Sequence, residues 1–157
     1  MALSSTTGCN LVSEAVRTAG RVRLRVSGTS MMPAMRPGDL LTVERAGTAD
    51  VAPGEIVVFA RSGRLVVHRV TGITAIPGSA KSGGNEGDTL LQTRGDCARR
   101  KDPIVRGSEL LGRVTQIERG SLRMQPRTTL GTAQQVISRL LRISDRAARL
   151  YVRVSPH

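Results

Sequence analysis

The run GEIVVFARSGRLVVHRV, residues 54–70, restricts the fold of this chain more than any other stretch. Two segments rich in Val, Ile and Leu flank the dipeptide Ser62-Gly63, the pattern of an antiparallel hairpin with a two-residue turn. So short a turn fixes the register and sets His68 opposite Val57 at mid-strand. A near-repeat extends the theme: PGDLLTV (37–43) and PGEIVVF (53–59) each place a Pro-Gly turn and an acid ahead of a strand. Residues 21–26 alternate Arg with Val or Leu, a strand with one wet and one dry face, and residues 90–93 and 110–118 supply two more. The expected architecture is therefore mainly β. Helical patterns occur only at the ends, in residues 1–20, with Asn10 as a candidate cap and Gly20 as the stop, and in the tail. Phe59 and Tyr151 are the only aromatic residues among 157, so the core must be built from Val, Leu, Ile, Met and Ala. That length suits one domain, which divides into a helical segment (1–20), a β domain (21–120) and a basic tail (121–157).

Residues 27–39, SGTSMMPAMRPGD, fit neither a core strand nor a helix. Gly28 and Pro33 bracket an irregular turn that presents the Ser30 hydroxyl to a cleft, with Met31 and Met32 as packing residues beside it. A hydroxyl becomes a useful nucleophile only when a base removes its proton. The chain has two histidines, and His157 is its last residue, which leaves His68, on one strand face with Val66 and Val70. A carboxylate holding the other ring nitrogen would fix the tautomer and stabilise the imidazolium. TRGDCARRKD (93–102) offers two, Asp96 and Asp102, set among Arg94, Arg99, Arg100 and Lys101.

In this order, SGTSMMP with PGD, GEIVVF, VVHRV, and TRGD with a second Asp six residues on, the chain resembles the signal peptidase and LexA-like superfamily of serine peptidases over residues 26–119. Bacterial leader peptidases and LexA-like repressors have lysine where this chain has His68. The endoplasmic-reticulum, archaeal and sporulation-type signal peptidases have histidine, and the chain is most similar to these. The resemblance implies a signal peptidase/LexA-like β-fold with a short N-terminal helix and a C-terminal amphipathic helix. It implies Ser30 as nucleophile, His68 as general base and Asp102 as its orienting carboxylate, with Asp96 supporting the site. It further implies hydrolysis of a peptide or preprotein after small residues. Some bacterial members place a serine hydroxyl two residues before the nucleophile. Gly28 stands there in this chain, leaving backbone N–H groups to hold the oxyanion, with Thr29 or Ser27 as substitutes only if they point inward.

Two alternatives belong to other classes. A LexA-like self-cleaving or DNA-associated regulator would suit the net charge of +12, with Ala19-Gly20 as a candidate scissile bond, but the region before Ser30 is too short for a complete helix-turn-helix domain. The dearth of aromatics also argues against nucleic acid as partner. The other is an inactive peptidase-fold binding module. Cys9 and Cys97 lack CxxC spacing, and neither a metal nor a cofactor is expected. No apolar run approaches the ~20 residues that cross a bilayer, and no secretory signal or anchoring helix precedes Ser30, so a cytoplasmic or peripheral membrane location is expected. In the tail, a helix opening at Thr128 or Thr129 and continuing to about residue 154 would align Arg139, Arg142, Arg146, Arg149 and Arg153 opposite Ile137, Leu140, Leu141 and Leu150. From Ser121 onward there are seven basic residues and one acid, half of the net charge. Such a helix suits either packing on the β domain or an anionic membrane surface.

Overall fold

The computed structural model describes residues 6–75 and 89–143. Helix α1 (Thr6–Ala19) leads into an antiparallel sheet of β1 (Arg21–Arg25), β2 (Leu40–Arg45), β3 (Ile56–Arg61), β4 (Arg64–Ala75), β5 (Thr89–Arg94), β6 (Leu110–Arg119) and β7 (Leu122–Met124), and α2 (Thr132–Ile143) follows. The strand order is β1-β2-β6-β3-β4-β5, with β7 also paired to β6. The fold is mainly β with a short helix on either side of the sheet in chain order, as expected.

The hairpin has the expected register: Val57 stands opposite His68, and Ser62 and Gly63 both have positive φ. That conformation matches the twist of the flanking strands. Four consecutive residues of β3, Ile56 to Phe59, are buried, because the strand has core on both faces. Ile56 and Val58 join Val16, Met31, Met35, Leu41 and Val43 in one cluster, while Val57 and Phe59 join Val70, Leu91 and Val105 in another. Each such side chain contributes about 1.5–3 kcal/mol on burial, so β3 is the rigid centre to which His68 is paired. The polar strand β1 shows the opposite pattern. Its arginines are exposed while Val22 and Leu24 pack against the first cluster.

Several boundaries differ from the sequence reading. Asn10 is not a cap: α1 starts at Thr6, and Asn10 is an exposed residue within it. The stop at Gly20 is as expected, with φ +69° and its N–H donating to the Val16 carbonyl. The Gly-, Ser- and Pro-rich composition of 73–88 predicts a surface loop, but residues 73–75 extend β4 and pair with Leu91, Leu90 and Thr89. Residues 76–88 lie outside the described residues, as does the tail beyond 143. The tail helix begins at Thr132 instead of Thr128 or Thr129 because the preceding segment is held against the sheet. The Arg127 carbonyl accepts from Arg69 Nη1, and the Gly131 N–H donates to Gln134 Oε1, one half of a capping arrangement.

Candidate active site

Three segments converge on Ser30. The first is the turn itself, closed by hydrogen bonds from Val26 N–H to the Asp39 carbonyl and from Gly38 N–H to the Val26 carbonyl. Within it, Met32 N–H donates to the Thr29 carbonyl and Met35 N–H to the Met31 carbonyl, so Ser30 opens a short helical turn. Met31, Met32 and Met35 are buried and anchor this turn in the core, which is why an apolar MMPAM run can lie outside regular structure. Asp39 is buried and takes both of its oxygens to Arg119, at 2.9 Å from Nε and 2.7 Å from Nη2, fastening the far end of the turn to β6.

The second segment is β4. His68 Nε2 lies 3.0 Å from Ser30 Oγ, and its Nδ1 lies 2.6 Å from Asp102 Oδ2. The Phe59 ring stands edge-on to the imidazole with centroids 6.3 Å apart. The His68 and Asp102 side chains are only 12% and 20% exposed, so little water competes for their hydrogen bond.

The third segment, after β5, returns Asp102 to the sheet. The Asp102 N–H donates to the Thr93 carbonyl, and Leu91 and Val105 exchange both backbone hydrogen bonds. Thr93 Oγ1 donates to Asp102 Oδ2 at 2.7 Å, and Gln92 Nε2 donates to the Asp102 carbonyl at 2.6 Å. The carboxylate is therefore fixed independently of the histidine. Gly95 passes Ser30 and His68 so closely that a Cβ there would lie 2.7 Å from the Ser30 carbonyl oxygen and 3.0 Å from both Ser30 Cβ and His68 Nε2. The Cys97 N–H then donates to the Ser30 carbonyl at 3.0 Å.

Asp96 lies between these two contacts and does not reach His68; its carboxylate is held by Arg69, with Nε and Nη2 each 2.8 Å from one oxygen. Arg69 also donates from Nη1 to the Gly54 and Arg127 carbonyls, and Ser138 of α2 donates to the Asp96 carbonyl. The structure thus brings together Ser30, His68 and Asp102, sets Asp96 and Met31 behind them, and leaves Gly28 and Thr29 exposed at the entrance to the turn. Thr93, Gly95, Arg69 and Ser138 were not singled out from sequence. Arg69, as the cation beside His68, and Gly95, as the glycine before Asp96, carried the only available signals.

Strand pairing leaves an opening next to Ser30. Among the described residues, β1 pairs only with β2, and residues 64–68 of β4 pair only with β3, since β5 begins its pairing at Arg69. These two free edges border a cavity of about 660 Å³ that includes Ser30, with Leu24, Val26, Met31, Met35, Leu41 and Leu65 among its apolar lining. A chain in extended conformation could hydrogen-bond to either edge and pass Ser30.

Residues 7–75 match the family model described as Peptidase S24-like. The S24-like match supports a serine peptidase or LexA-like fold. It includes Ser30 and His68 and ends before Asp96 and Asp102, so the carboxylate side of the site rests on geometry alone. No curated protein matches the chain. Among the described residues, no helix is long and apolar enough to cross a membrane, and no three His, Cys, Asp or Glu side chains gather as a metal-ligand set.

Proposed function

We propose that this chain is a serine endopeptidase of signal-peptidase type that cuts a peptide or preprotein after small residues, with Ser30 as nucleophile, His68 as general base and Asp102 as the carboxylate that orients it. The observation that carries the reading is the unbroken series Ser30 Oγ, His68 Nε2, His68 Nδ1, Asp102 Oδ2, with separations of 3.0 Å and 2.6 Å, whose Ser30 end lines the cavity. As Ser30 Oγ bonds to the substrate carbonyl carbon, its proton passes to His68 Nε2. The imidazolium, with Nδ1–H donated to Asp102, then gives that proton to the leaving amine as the C–N bond breaks. Water, deprotonated by His68, hydrolyses the Ser30 ester. The Ser30 N–H, which opens the helical turn and is bonded to no other described group, supports a backbone oxyanion site.

The self-cleaving alternative at Ala19-Gly20 is less well supported. The Gly20 N–H is bonded to Val16 and its carbonyl to the Arg45 N–H, so this peptide bond is tied into the fold at the end of α1. The enzyme acts in the cytoplasm or at the membrane periphery, the latter through attraction of the basic tail to an anionic surface.

Acid quenching of the enzyme with a labelled Ala-x-Ala peptide, followed by peptide mass mapping, tests the mechanism. An acyl group on Ser30 is expected, absent in Ser30→Ala and diminished in His68→Ala. Turnover with the acyl group on another residue, or cleavage that Ser30→Ala leaves unchanged, would overturn the assignment.

A further inference from the structure

The cavity at Ser30 has a floor and a rim of different chemistry. Leu24, Val26, Leu65 and Val67 belong to its lining, and all four pack on the core cluster that contains Met31 and Met35. Among the described residues, the charged ones that line it are Arg23, Arg25 and Arg64, with no Asp or Glu. All three arginines are exposed, and they stand on the two free edges described above, Arg23 and Arg25 on β1 and Arg64 at the start of β4. Arg23 is paired with Glu118, whereas Arg25 donates only to the neutral Gly38 carbonyl and Arg64 has no ion pair among the described residues. Among the described residues, two positive charges, one on each edge, thus stay without a counter-charge beside the opening.

Side chains of an extended peptide alternate between two faces. A strand laid along either edge would direct every second side chain to the apolar floor and the intervening ones toward the arginine rim. Resting on the peptidase reading above, we infer that the preferred substrate is an extended segment in which small or apolar residues alternate with acidic ones, Arg25 and Arg64 being the residues that select the acids. Carboxylates near two uncompensated guanidiniums gain attraction, and lysines in the same positions are repelled, so the selection operates both ways.

The test uses three peptides, Val-Glu-Val-Glu-Ala-Ala-Ser and its Gln and Lys counterparts at both Glu positions. Binding is measured by fluorescence anisotropy to full-length Ser30→Ala protein, and kcat/KM on wild type. At 50 mM salt the Glu peptide is expected to bind about tenfold or more tightly than the Lys peptide, with Gln between them. In 1 M salt, where screening acts within ~3 Å, the preference should contract toward parity. Arg25→Glu combined with Arg64→Glu should invert the order. Because both side chains are exposed, folding of this variant is expected and can be checked by circular dichroism; if it does not fold, the salt titration of wild type still decides. Equal binding of all three peptides, a preference insensitive to salt, or an order unchanged by the double reversal would overturn the inference. Selective binding without cleavage by wild type would instead retain the inference and count against the peptidase reading.

Discussion

Replacing Gly95 with alanine should disable the site while leaving every proposed catalytic residue in place. The added Cβ would lie 2.7 Å from the Ser30 carbonyl oxygen and 3.0 Å from Ser30 Cβ and His68 Nε2, against 3.4 Å or more in ordinary contacts. None of these atoms is the free end of a flexible chain. The Ser30 carbonyl accepts the Cys97 N–H, and the imidazole is held by Asp102. Relief therefore requires Ser30 and His68 to shift by about 0.4–0.7 Å, and since a displacement of ~1 Å can cost ~100-fold in rate, kcat of the proposed reaction should fall roughly 10- to 100-fold. The overpacking should cost about 1–3 kcal/mol of stability, a fall in Tm of several degrees for a chain of this size. Peptide cleavage under saturating and subsaturating substrate separates kcat from KM, and thermal unfolding monitors the fold. Gly72→Ala is the matched comparison, because its Cβ would make only an ordinary 3.8 Å contact with Gln92. If Gly95→Ala retained wild-type kcat, the close approach of this segment would not govern the Ser30–His68 geometry, and the reasoning would be wrong.

Other consequences are equally direct. Thr93→Val removes the hydroxyl donor to Asp102 while keeping the side-chain shape, so kcat should fall about tenfold, consistent with ~1.5 kcal/mol for a hydrogen bond to a charged group; an unchanged kcat would dismiss Thr93 as a positioning residue. Arg69→Met strips the buried Asp96 carboxylate of its bidentate partner and should cost about 3–5 kcal/mol in denaturant unfolding, far more than a surface pair. Glu109 is held below its ordinary carboxylate value of 4.5, first by the hydrogen bond from Arg61 and against the opposing effect of burial. Its folded pKa is thus lower than its unfolded one, so the pair's stabilisation is present above pH 4.5 and is lost as pH falls through the folded value. Glu109→Gln should therefore be less stable than wild type at pH 7, with the gap narrowing in acid; a gap independent of pH would exclude this linkage.

The parts of the fold that could be read from sequence are those fixed by local rules. Ser62-Gly63 sets the hairpin register by turn length, and that register alone puts His68 opposite Val57. Gly20 likewise ends α1 by its positive φ. Ser30 was legible because Gly28 and Pro33 exclude regular structure around it, and Asp102 because of its resemblance to the superfamily pattern. What was hidden depends on tertiary partners. Asp39 with Arg119 and Asp96 with Arg69 look like ordinary surface charges until the strands pair, and only then does each become a buried clamp on a site loop. Thr93 reads simply as a β-former, and its hydroxyl acquires a role when the chain returns to set Asp102 beside it. The start of α2 is hidden for a similar reason: Arg69, far away in sequence, captures the Arg127 carbonyl and delays the helix.

The central claim is most directly tested by cleavage of a preprotein and peptide panel with Ala-x-Ala sites, comparing wild type with Ser30→Ala, His68→Ala and Asp102→Asn. The account predicts cleavage by wild type, its loss in the Ser30 and His68 variants, and a large drop in the Asp102 variant. Equal cleavage by wild type and Ser30→Ala would contradict it.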